Sequence, residues 1–181
     1  MPASPELFDV VDDQDRVLRQ MERAEVHRQR LFHRAVHVLV FDSRSQVYLQ
    51  RRSQLKDTYP GRWTTSCSGH VDAGENYDEA VRRELGEELG LHLPPKVTPA
   101  RFTKHPPNRA TGYEFIWIYS LVTDAPLTPD AAEVAEGRWV TPPELDDMMA
   151  REPKTFTPSF LLVWKLWSEQ KRRKGPAKAA I

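Results

Sequence analysis

Short runs of alternating or periodic hydrophobic residues divide this chain into elements that can be read one at a time. "ELFDVVDDQDRVL" sets two β-favouring runs around an acidic turn, which predicts a pair of strands. "ERAEVHRQRLFH" reads either as a helical turn or as a polar loop. "RAVHVLVFD" places Val36, Val38 and Val40 on one face of a strand. "SRSQ" then turns the chain, and "VYLQRRS" is the expected partner strand of a hairpin. A loop set by Pro60-Gly61 leads into "TTSCSGH", a further strand. From about Tyr77 to Leu89, Ala80, Val81, Leu85 and Leu89 recur at helical spacing, and Gly90 stands where a C-terminal cap glycine belongs.

"ARFTKHPPNRATG" reads as a loop with its own strand start, and "YEFIWIYSLV" as a long strand. "TDAPLTPDAAEVAEG" is a loop, "RWVT" a short strand and "PPELDDMMARE" a short helix. "TPSFLLVWKLWSEQKRRK" closes the pattern as an amphipathic helix with Thr157 as its N-cap and Pro158 in its first position. This order of elements predicts an α/β fold with helices flanking a mixed sheet.

Composition narrows the picture. With 181 residues, 39% of them hydrophobic, the chain suits one domain over 1–174, with 175–181 expected as a disordered tail. Lys and Arg total 26 and Asp and Glu total 26, so overall charge favours neither nucleic acid nor a membrane surface. No apolar run approaches the roughly 20 residues needed to span a bilayer. "KRRK" near the C-terminus reads as a solvated helix end. A single cysteine, Cys67, excludes an intramolecular disulfide and fits a reducing compartment. "MPASPELFDVVDDQDRV" has no basic region followed by an apolar core, so no signal peptide and a cytoplasmic location are expected.

The chemistry concentrates between Gly69 and Leu91. On a helix, Glu84, Glu87 and Glu88 project together, and the Glu84–Glu88 pair alone costs a few tenths of a kcal/mol. Gly86 in the same helix costs about 1 kcal/mol relative to alanine. Arg83 is placed to brace Glu87. A solvated acidic face is one explanation of the cluster. A hard divalent cation with oxygen ligands is the other, because its charge removes the repulsion.

Gly69, five residues, Glu75, seven residues and then "RELGEELGL" together resemble the Nudix box over 69–91. The resemblance implies a Nudix hydrolase: an α/β/α sandwich whose box forms a loop–helix–loop, acting on a nucleoside diphosphate joined to some group X. It implies Glu84, Glu87 and Glu88 as metal ligands, with the Gly69 carbonyl as a further ligand. Arg83 would orient the carboxylates and Glu75 would support the loop. Mg²⁺ is the expected cofactor, with Mn²⁺ as substitute. Glu114 and Glu136 are candidate bases, Glu114 preferred. The resemblance also allows a homodimer, while neither a membrane nor a nucleic-acid partner is expected.

A narrower similarity links "VHRQRLFHRAVHVLVFD", "LQRRS", "KDTYPGRWTTSCSGH" and "FTPSF" to the branch containing type I isopentenyl-diphosphate isomerase. The isomerases carry a cysteine directly before the Gly-His pair. Here Ser68 holds that place, and Cys67, one residue earlier, would face the other side of a strand. The isomerases also use a glutamate pair where this chain has Gly112 and Glu114.

His33 and His70 match isomerase metal ligands and His27 lies one residue from a third, so with Glu114 they are candidates for a second ion site. Arg52 and Lys56 are candidates for substrate phosphate, since only one of Arg51 and Arg52 can face a pocket. Trp63, Phe102 and Tyr113 are candidates to stack a base, with core or rim packing as the alternative. "KHPPNRATGY" and "TPDAAEVAEG" are the loops expected to select X. The expected function is a Mg²⁺-dependent pyrophosphohydrolase; the rivals are the isomerase and a non-catalytic nucleotide-binding protein of the same fold.

Overall fold

The computed structural model describes residues 6–174, so the expected tail over 175–181 lies outside the described residues. The opening strands form as read. β1 (Leu7–Val11) and β2 (Val17–Glu22) pair antiparallel around a turn in which Asp12 Oδ1 accepts the backbone N–H of Gln14 and Arg16, both at 2.9 Å. The ambiguous segment after them is a helix, α1 (Arg23–Gln29), ended by Arg30 in the left-handed region at φ 56°.

The second sheet is built on β3 (His33–Phe41), β4 (Val47–Arg52), β5 (Trp63–Thr64), β6 (Cys67–His70), β7 (Ala100–His105), β8 (Glu114–Val122) and β9 (Val134–Val140). Its backbone order is β5-β4-β3-β8-β7, with β6 added to β3 and β9 to β4. β3 and β8 run parallel along their whole length and the other pairs are antiparallel, so the sheet is mixed. Three helices cover it: α2 (Tyr77–Leu89), α3 (Pro142–Arg151) and α4 (Pro158–Lys174).

The alternation in "RAVHVLVF" explains the two layers. Val36, Val38 and Val40 pack with Tyr48 and Cys67 under Ala80, Val81, Leu85 and Leu89 of α2. Leu39 and Phe41 turn the other way, with Leu49, Ile116 and Ile118, and pack under Leu145 of α3 and Phe160, Val163 and Trp164 of α4. Each fully buried Leu or Ile contributes about 1.5–3 kcal/mol. The result is the expected α/β/α sandwich. No helix among the described residues is long and apolar enough to cross a membrane.

Two elements depart from the sequence reading. The expected β3–β4 hairpin has its turn, but the strands pair only at Phe41 and Val47. Beyond that point β6 occupies the edge of β3 from Ala35 to Val38, and β4 turns to β9 instead. Ser66, fully buried, bridges the gap: its Oγ accepts the Val40 N–H at 2.8 Å and donates to the Tyr48 carbonyl at 2.6 Å. The second departure is β9, which starts at Val134 rather than at Arg138. Its middle residues are exposed, so it carries no alternation, and only its pairing with β4 defines it.

Ser66→Ala leaves two buried backbone groups unpaired, each costing about 1–3 kcal/mol. Urea denaturation should therefore show a loss of about 2–4 kcal/mol, and a loss below about 0.5 kcal/mol would show that the bridge is dispensable.

Candidate active site

The divergence of β3 from β4 opens a cavity of about 1050 Å³. Its walls include Ala35 and His37 of β3, Ser68, Gly69 and His70 of β6, Arg52 of β4, and Glu84, Glu87 and Glu88 of α2. The helix is fixed at both ends. Asn76 caps its start in a capping box with Glu79, a spacing present in the sequence, and Gly90 ends it at φ 62°.

The three glutamates do not share one environment. Glu84 and Glu88 are buried, whereas the Glu87 side chain is 60% exposed. Glu88 Oε2 accepts from Gln50 Nε2 at 2.9 Å and from the Ser68 N–H at 3.1 Å. Burial raises its pKa, against the lowering effect of those two bonds. Burial first, and then the charge of Glu88, push Glu84 up to about 8. Gly69 is required by this crowding, because a β-carbon there would overlap the Glu84 carboxyl group.

Arg83 ties the cluster to the loop before α2. It donates to Glu75 at 3.0 and 2.9 Å, to Glu84 at 2.6 Å, to Glu87 at 3.0 Å and to the His70 carbonyl at 2.9 Å. Burial works against its charge, but the bonds to Glu75 and Glu84 hold it well above its ordinary pKa. With Asp72 at 3.6 Å, one guanidinium thus faces four acidic side chains, so acidic groups outnumber the positive charge beside them. The carboxylates and the neighbouring Gly69 backbone form an oxygen-donor set suited to a hard divalent cation.

A second cluster meets the same cavity through His27, His70 and Glu114, with His33 buried behind them. Ligand atoms of His27, His33, His70 and Glu114 all lie within 4.8 Å of one another. His33 Nδ1 donates to the Leu31 carbonyl at 2.9 Å, so only its Nε2 can face the cluster. That nitrogen is buried without a hydrogen-bond partner and lies 3.6 Å from Glu114 Oε1. Three imidazoles with a carboxylate suit a transition metal. Burial alone would raise Glu114, but His33 and the 3.2 Å contact with His70 hold it well below the carboxylate range. Burial, and then the neighbouring histidines, lower His27 to about 4.

Of the phosphate candidates, both Arg52 and Lys56 line the cavity and Arg51 does not. Lys56 is already paired with Glu133. Arg52 is bonded only to the carbonyl and hydroxyl of Thr58, at 2.9 and 3.2 Å, so its charge is uncompensated among the described residues. Three candidates fall outside the cavity. Glu136 pairs with Arg51 at 3.5 Å on the outer part of β9, so it has no access as a base. Trp63 packs in the α4 layer, and Phe102 lies against Trp167 with ring centroids 4.7 Å apart, so neither can stack a base. Tyr113 does line the cavity. Both expected selector loops reach it, through Thr111 and Gly112 in one and Asp130 and Glu133 in the other.

The Cys67 side chain is buried in the α2 layer and its thiol is pushed well above its usual pKa by burial, while Ser68 faces the cavity. Sequence reading did not single out Gln50 or His37. Each is a polar residue inside an apolar strand, which was the available signal.

The NUDIX domain profile matches residues 31–160. The chain belongs to the Nudix family. Among its relatives, an isopentenyl-diphosphate Delta-isomerase of Burkholderia multivorans is 39% identical over 156 residues, covering 83% of this chain and 86% of that protein. An uncharacterised Nudix hydrolase of Pseudomonas aeruginosa is also 39% identical, over 140 residues, covering 76% and 79%. A crystal structure from Deinococcus radiodurans superposes with a TM-score of 0.70 at 28% identity, covering 81% of this Nudix chain and 90% of its own. A NUDIX domain from Shewanella oneidensis, solved with ADP ribose, shares the fold at 18% identity and TM-score 0.57, over 83% and 99%.

The raised Glu84 pKa gives this Nudix domain a pH signature. Below about 4.5 the group is protonated in folded and unfolded chains alike; between 4.5 and about 8 only the folded chain keeps the proton. The metal-free folded state therefore loses stability as pH rises through that window. His27 and His37, both lowered to about 4, act in the opposite direction. The comparison with Glu84→Gln removes their contribution. Urea denaturation should show wild-type stability falling relative to Glu84→Gln from about pH 4.5 to 8 and running parallel to it above; a wild type that gains stability relative to Glu84→Gln across that window, or keeps pace with it, would contradict the assignment.

Proposed function

We propose that this Nudix protein is a divalent-metal-dependent hydrolase cleaving a diphosphate linkage in a nucleoside diphosphate–X substrate, with Mg²⁺ as its ion and Mn²⁺ as substitute. The observation that carries the reading is the buried pair Glu84 and Glu88, short of positive charge, in one cavity with the uncompensated Arg52. A cation held by the carboxylates would withdraw charge from non-bridging phosphate oxygens and acidify a bound water.

The residues divide the remaining work. Arg52 supplies a guanidinium to a phosphate oxygen, and Lys56 joins it on release from Glu133. Arg83 keeps Glu84 and Glu87 aligned and the Glu75 loop closed over the helix start. Glu114, which its histidines hold well below the carboxylate range, is a weak proton acceptor. Glu114 is accordingly read as a ligand in the histidine cluster rather than as the base. At about 1050 Å³ the cavity has room for a diphosphate carrying groups at both ends.

The isomerase reading draws on the Burkholderia relative and on the histidine cluster. Against it stand the core-facing Cys67 and Ser68, which faces the cavity where the isomerases carry their cysteine.

A panel of nucleoside diphosphate derivatives, assayed with product identification, tests the choice. Chelation should abolish turnover and Mg²⁺ or Mn²⁺ should restore it; robust hydrolysis in excess chelator would sink the metal assignment. Glu87→Gln and Glu88→Gln should each lower kcat at least about a hundredfold. Ser68→Ala should stay within about tenfold, or roughly 1.4 kcal/mol in barrier. Interconversion of isopentenyl and dimethylallyl diphosphates by the wild type would replace hydrolysis with isomerisation.

A further inference from the structure

The cavity floor holds one buried polar group that neither carboxylate helix nor histidine cluster uses. His37 lies on β3 opposite Ser68 of β6, lines the cavity and is 4% exposed. Its Nδ1 is 3.0 Å from Thr65 Oγ1. The Thr65 hydroxyl has a single hydrogen, which goes to the Cys67 carbonyl at 3.1 Å. Nδ1 must therefore carry the ring proton and donate, which leaves Nε2 with its lone pair. Among the described residues no donor reaches that nitrogen. Burial lowers the ring's pKa to about 4, so it stays neutral at ordinary pH.

The wall beside this floor is also made of hydroxyls. Thr64 and Thr157, 2% and 3% exposed, line the cavity with their Oγ1 atoms 3.2 Å apart. Ser159 Oγ continues the row, 3.3 Å from Thr157 Oγ1. Thr64 is paired across the sheet with Gln50, whose amide holds Glu88, so the row starts next to the carboxylate cluster. The aliphatic lining is slight: Ala35, Ala110 and Ala132 are small, and Leu55 is 82% exposed.

We infer that His37 Nε2, with the hydroxyls of Thr64, Thr157 and Ser159, is a specificity subsite that accepts a hydrogen bond from X, so that X is a hydroxylated, sugar-like group rather than a prenyl chain. This rests on the reading of the cavity as a diphosphate hydrolase. A site built to hydrogen-bond a substrate hydroxyl disfavours the analogue lacking it, because that analogue displaces water from the site's polar atoms and offers them no partner.

The test compares kcat/KM for the best of ADP-ribose, ADP-glucose and UDP-glucose with that for the pentyl ester of the same nucleoside diphosphate. The wild type should prefer the sugar at least about a hundredfold, and in His37→Leu that ratio should fall tenfold or more. A wild type that takes both equally, or a ratio unchanged in His37→Leu, overturns the inference while leaving the hydrolase reading intact. Failure of the wild type to hydrolyse any diphosphate with Mg²⁺ overturns the hydrolase reading, and the subsite with it. Nitrogen NMR of the metal-free wild type gives an answer even if His37→Leu does not fold. It should show His37 protonated at Nδ1 from pH 5 to 8, with the Nε2 resonance moved by the sugar nucleotide and not by the pentyl ester. Protonation at Nε2, or no response to any of the three sugars, overturns the assignment.

Discussion

Glu84 and Glu88 stand one helical turn apart with almost no access to water, so each makes the other harder to ionise. Much of the surrounding architecture answers that repulsion. Gln50 and the Ser68 N–H bond Glu88, and Arg83 bonds Glu84 while anchoring itself on Glu75. Gly69 gives the Glu84 carboxyl group its room. A helix designed for stability alone would carry its acids on the solvent side. This one spends its buried face partly on charge, and the capping box at Asn76 and the apolar contacts of Leu85 and Leu89 offset the loss.

Gly69 and His70 join the two polar clusters. The His70 side chain reaches Glu114 in the histidine cluster, and its carbonyl accepts from Arg83, which is bonded to Glu84 and Glu87. A single residue and one guanidinium therefore connect the two clusters. The sandwich keeps both clusters along one side of the cavity, because β6 lies against β3 where a plain hairpin would have placed β4.

What the sequence disclosed followed from how local the signal was. α2 and its Gly90 cap, the long strand β8 and the Thr157–Pro158 start of α4 depend on neighbours a few residues away, and periodicity alone marks them. The spacing between Gly69 and Leu91 located the carboxylate helix for the same reason. β9 and the parting of β3 from β4 depend on partners far along the chain, and an exposed strand without alternation offers no local mark. Glu84 and Glu88 are buried and Glu87 is not, and which side of the acidic cluster meets the sheet depends on partners outside the helix. His37 was hidden in plain view: its side chain shares a strand face with Leu39 and Phe41, but its place beyond the β3–β4 pairing makes that position cavity floor rather than core.

The loop before β9 also serves the helix that carries the acids. The Thr128 N–H donates to the Leu89 carbonyl at 2.8 Å and the Asp130 N–H donates to the Glu88 carbonyl at 2.9 Å. Backbone carbonyls that would otherwise face solvent at the helix end are thus satisfied by the loop rather than by water. Both donors are main-chain groups, so the tie places no demand on side-chain identity except that proline is barred at those two positions. Pro129 stands between them, at the position where no N–H is called upon for that tie. The shape that this loop offers a ligand can therefore change with its side chains without touching the two bonds that anchor it to the carboxylate helix.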